Sequence, residues 1–81
     1  MEVFQNGRMR PKHAELIALG KMIRAMRIKK GFSQEAFADE VDLDRSYMGR
    51  IERGENNLTI LSVYRIARAL HVGPAQLFPK K

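Results

Sequence analysis

With 81 residues, a formal charge of +6 and no cysteine, the chain has room for one small domain and excludes both a disulfide framework and a thiolate metal site. No run approaches the roughly 18 apolar residues of a membrane span, and the opening MEVFQNGRMRPK lacks the apolar stretch of a secretory signal, so a cytoplasmic protein with no membrane contact is expected. The basic balance favours a polyanion as partner, and periodically placed hydrophobic residues, 44% of the chain, do not describe a disordered one.

The apolar spacing is helical throughout, with no clean strand alternation. Residues 1–12 form a polar arm carrying Arg8, Arg10 and Lys12. A first helix is expected from His13 to Lys30: Leu16, Leu19, Ile23 and Met26 make one stripe, cations crowd its last turn, and Gly31 stops it. Ser33 is a good N-cap for a second helix from Gln34 to Val41, with Phe37, Ala38 and Val41 inward. Asp44 caps a third from Arg45 to Arg53, with Met48 and Ile51 inward and Gly54 ending it. After the Asn56-Asn57 loop, Thr59 caps a fourth from Ile60 to Leu70, with Val63, Ile66, Ala67 and Leu70 inward. Gly73-Pro74 opens a last short helix through Leu77 or Phe78, and Pro79 closes it. The expected fold is all-α, a compact five-helix bundle over residues 13–78.

Charge is segregated along this frame. Lys21, Arg24, Arg27, Lys29 and Lys30 fall in a stretch without an acid, whereas Glu35, Asp39, Glu40, Asp42 and Asp44 follow in one without a cation. The informative unit is the pair of helices on either side of Asp42-Leu43. So short a junction forces a steep crossing, which the small Ala38 accommodates; this is a helix-turn-helix pattern.

The stretch from Leu19 to Phe78, including GFSQEAFADEVDLDRSYMGRIERG and NNLTILSVYRIARAL, resembles the Xre/phage-repressor family of helix-turn-helix domains. Within it, LDRSYMGRIERG and NLTI look most like the controller proteins of restriction-modification systems. The resemblance implies a DNA-binding transcriptional regulator. It places Arg45, Ser46, Tyr47 and Arg50 at base-reading positions, and Gln34, Arg53, Asn57 and Thr59 near the phosphate backbone. Arg27 and Glu52 match a buried salt bridge between the first and third helices. Glu35 and Asp39 match acids that face RNA polymerase in repressors that also activate, against the plainer reading of a solvated acidic face. Leu77 and Phe78 are core or homodimer contacts, since relatives of this length pair through the last helical region. Asp42 stands where the family usually has Gly, so the turn is expected to survive with some strain.

The chemistry agrees with the resemblance. A guanidinium fork can bond O6 and N7 of guanine together in the major groove, and Arg45 stands at the helix end that enters it. A glutamine amide can donate to a phosphate. A homodimer on double-stranded DNA would place two such helices one turn apart on a palindrome, about 34 Å. Two other classes compete. The same domain can serve as an antitoxin or protein-interaction adaptor, because fold does not fix function. An enzyme would need a convergent nucleophile, base and pocket, and the chain shows no such constellation and no phosphate loop. His13 and His71 have no ligand partners at metal-binding spacing, so no cofactor or metal is expected.

Overall fold

The computed structural model describes residues 13–79; the arm of residues 1–12 lies outside the described residues. The fold is all-helical. Four α-helices, α1 (Ala14–Lys29), α2 (Gln34–Glu40), α3 (Arg45–Glu52) and α4 (Ile60–Leu70), are followed by one turn of 3-10 helix, Pro74–Leu77. The expected fifth helix is therefore a 3-10 turn. Pro79 forces Phe78 into extended backbone, φ −86°, ψ 146°, because a residue before proline disfavours the α region. Too few residues remain for an α-helical turn to propagate.

Side-chain caps explain where α2, α3 and α4 begin. Ser33 accepts from the Ala36 backbone N–H at 3.0 Å, Asp44 from Ser46 at 3.1 Å and Thr59 from Ser62 at 3.0 Å. Each satisfies a donor that the helix itself leaves without a partner.

The ends share one solution. Gly31, Asp42, Gly54 and His71 all adopt positive φ. In each case the following residue returns a long backbone hydrogen bond into the helix: Phe32 to Arg27, Leu43 to Ala38, Glu55 to Arg50, and Val72 to Ala67, at 2.9–3.1 Å. These are Schellman closures. Phe32, Leu43 and Val72 also pack on the core, which locks those turns. Asp42 thus fills the left-handed position of the α2–α3 turn at φ 60°. Asp tolerates that region better than most side chains.

The core joins Leu19 and Ile23 of α1, Phe37 and Ala38 of α2, Met48 and Ile51 of α3, Ile66, Ala67 and Leu70 of α4, and Leu77. Burying such side chains contributes about 1.5–3 kcal/mol each, opposed by backbone ordering of similar total size. The α1–α3 crossing is tight. A Cβ on Gly20 would stand 2.7 Å from the Glu52 carbonyl oxygen and nearer still to that of Ile51. A Cβ on Gly54 would stand 2.7 Å from Cα of Ile17. Backbone meets backbone at both points, so α3 is seated on α1 with no room for adjustment.

Candidate nucleic-acid interface

Fixing the inner side of α3 fixes its outer side. Met48, Ile51 and Glu52 are buried, while Arg45, Ser46 and Arg53 are exposed and Arg50 is half-buried. Positions 46, 50 and 53 recur at helical spacing and, with Arg45 beside them, form one outward stripe; Gly49 beneath it is buried.

At the N-terminal end of the stripe, the Ser46 hydroxyl donates to Asp44, which also caps the helix. The Ser46 hydroxyl chiefly, with backbone N–H groups of Tyr47 and Ser46 and the charge of Arg50, holds the Asp44 carboxyl below its usual range. Arg45 is exposed, and its guanidinium has no partner among the described residues. The Arg50 guanidinium carbon lies 5.9 Å from the centroid of the Tyr47 ring, within reach of a cation–π contact. Tyr47 is half-buried against the core, and its hydroxyl donates to the Asn57 carbonyl at 3.2 Å. It braces the α3–α4 loop, leaving Arg45 and Ser46 as the exposed members of the base-reading set, with Arg50 half-buried beside the Tyr47 ring.

The backbone-contacting set divides. Gln34 and Arg53, distant in sequence, flank Gly49: a Cβ there would lie 3.5 Å from Gln34 Oε1 and 3.2 Å from Arg53 Nη1. Arg53 is also bound by Glu55 through two contacts of 3.0 and 3.2 Å, and that hydrogen bond and charge raise its pKa. Asn57 is exposed in the α3–α4 loop. The Thr59 hydroxyl is occupied at the head of α4, accepting from the Ser62 N–H and donating to the Ser62 hydroxyl.

Beneath the stripe, Arg27 and Glu52 form a two-pronged pair, Nε to Oε2 at 2.6 Å and Nη2 to Oε1 at 3.1 Å. Both residues are buried. Arg27 Nη1 also donates to the Phe32 carbonyl at 2.8 Å. The pair therefore ties α1, the α1–α2 turn and the end of α3 together.

Glu35 and Asp39 are exposed on α2, four residues apart and so on one face. Leu77 is fully buried; of its two expected roles, core or dimer contact, it has the core one, because its own chain encloses it. Phe78 is 44% exposed. His13 precedes α1 and His71 terminates α4; both are exposed.

Three features escaped the sequence reading. Nothing in a lone Gly20 announces a backbone crossing. The Arg53–Glu55 pair had a signal in its two-residue separation. The exposed apolar group Ile60, Leu61 and Tyr64, 71%, 59% and 51% exposed, also had one: α4 holds more apolar residues than its inward stripe requires. These three occupy one face of its first turns.

Known proteins share this architecture. The helix-turn-helix family model matches residues 23–77. The control protein C.BamHI of Bacillus amyloliquefaciens is 39% identical over 62 residues, covering 75% of this chain and 76% of that protein. The crystal structure of the restriction-modification controller protein C.AhdI from Aeromonas hydrophila superposes with a TM-score of 0.79 at 41% identity, covering 82% of this chain and 100% of that one. The biofilm master regulator SinR, solved in complex with DNA, superposes with a TM-score of 0.70 at 28% identity, covering 73% of this chain and 95% of that one. By the family match and by likeness to these control proteins over most of its length, the chain belongs to the helix-turn-helix family of DNA-binding transcription regulators, alongside the restriction-modification controller proteins.

Proposed function

We propose that this regulator acts as a controller-type transcription factor, binding a palindromic operator as a homodimer and governing a promoter near it. The observation that carries this reading is Arg45: an exposed guanidinium at the N-terminal end of α3, with no partner among the described residues. Such a group matches the O6/N7 edge of guanine. Gln34 and Arg53, together over Gly49, are the groups proposed to meet the phosphate backbone beside it, with Asn57 further along. These contacts orient the protein; the base contacts specify the sequence.

Pairing is supported by the exposed Ile60, Leu61 and Tyr64 on α4 and by Phe78. Apolar side chains gathered on one face mark association surfaces more often than scattered ones. The exposed Glu35 and Asp39 support a contact with RNA polymerase, through which the protein would activate as well as repress. Such a regulator would act in the cytoplasm, where its DNA is, and no helix among the described residues is long and apolar enough to cross a membrane.

The test is selection of duplexes from a random library, followed by sedimentation of the complex. An inverted repeat with half-sites about one helical turn apart, bound by two chains, is the expected outcome. Leu61→Asp should leave the monomer folded and weaken self-association and operator binding together. Failure of the folded protein to enrich any duplex would contradict the reading and favour a protein partner.

A further inference from the structure

The Arg27–Glu52 pair has a third member. Gln34 Nε2 donates to Glu52 Oε1 at 3.0 Å, the same oxygen that accepts from Arg27 Nη2. On its other side, the Gln34 amide oxygen lies over the bare Cα of Gly49. The half-buried Gln34 side chain is thus held by a buried carboxylate, with its amide oxygen close to α3. We infer that Glu52 is a positioning residue for DNA-backbone binding: it holds the Gln34 amide in the orientation that meets a phosphate, and Arg27 holds Glu52.

This rests on the reading that Gln34 contacts phosphate. An unconstrained glutamine samples several rotamers and must be ordered on binding, which weakens affinity. Tying one amide N–H to Glu52 removes that freedom in advance and leaves the second N–H for the ligand. The carboxylate can do this because Arg27 balances its charge; alone, Glu52 would be a buried anion beside the polyanion it serves. The charge pair therefore has a function beyond joining α1 to α3.

The test separates positioning from folding. Arg27→Met with Glu52→Met replaces the pair by apolar side chains, keeps the net charge, and is close to neutral for stability in comparable sites. Affinity for the selected operator is measured for this double variant, for Gln34→Ala, and for the triple variant, at a temperature where circular dichroism shows each folded. Gln34→Ala is expected to weaken binding about three- to tenfold, the worth of one hydrogen bond. The double variant should lose a similar factor, and the triple variant no more than either. Full affinity in the double variant, or losses that multiply in the triple, would overturn the inference while leaving the phosphate contact intact. Full affinity in Gln34→Ala would remove the phosphate contact, and the inference with it. Should the Met pair fail to fold, the free parent protein still decides the point. Amide NMR of the free protein gives a reading independent of DNA. The Gln34 side-chain proton bound to Glu52 should exchange slowly in the parent; fast exchange in the folded parent would contradict the inference.

Discussion

Turned inward, α3 meets α1 through the bare backbone of Gly20 and through a charge pair closed off from solvent. Turned outward, the same short helix presents Arg45, which no other described residue engages. The inner side is over-determined: a methyl group has nowhere to go, and each charge needs its partner. The outer side is under-determined, since removing Arg45 disturbs no contact within the described chain. Stability and recognition are thus assigned to opposite sides of one helix, and the inner side sets the angle at which the outer side is offered.

Substitutions should respect that division. The largest effect is expected from Glu52→Ala, which strands the Arg27 charge in the interior and removes the acceptor of Gln34. Breaking such a pair costs about 3–5 kcal/mol, a large share of a small domain's stability, so urea denaturation should find the variant partly unfolded at ambient temperature. Gly20→Ala comes next. Its new methyl group collides with backbone oxygens that have no rotamer to escape into, and a loss of about 1–3 kcal/mol is expected. If Gly20→Ala proved neutral by thermal melting, the α1–α3 spacing would be softer than described. The smallest effect concerns the helix ends. His71 occupies a left-handed position with φ 60°, so His71→Gly should raise stability by about 0.5–1 kcal/mol, without altering DNA affinity.

Much of this was legible from periodicity and punctuation. The apolar stripes located the core of α1 to α4, and Ser33, Asp44 and Thr59 each cap where the sequence placed a cap. Gly31 and Gly54 mark helix ends because an αL residue closes each helix, and glycine is the common solution. What stayed hidden depended on tertiary distance. That Gln34 reaches Glu52, or that Gly20 meets the carbonyl oxygens of Ile51 and Glu52, follows from how α1, α2 and α3 cross, and no local pattern encodes it. The final element, expected as a short helix, is a single 3-10 turn, because Gly73-Pro74 signals a start and Pro79 leaves too few residues for an α-helical turn. The exposed face of α4 shows in the sequence only as a surplus: Ile60, Leu61 and Tyr64 exceed what its inward stripe requires.

The division between the two sides of α3 is tested most directly by measuring the affinity of parent and Arg45→Ala for the selected operator and for a scrambled duplex, each at two salt concentrations, together with their unfolding free energies. The account predicts unchanged stability, a loss of about 1–3 kcal/mol on the operator alone, and a steep salt dependence retained by both proteins. An equal loss on both duplexes would make Arg45 a phosphate contact, and an unchanged operator affinity would contradict the assignment of base recognition to the outer side of α3.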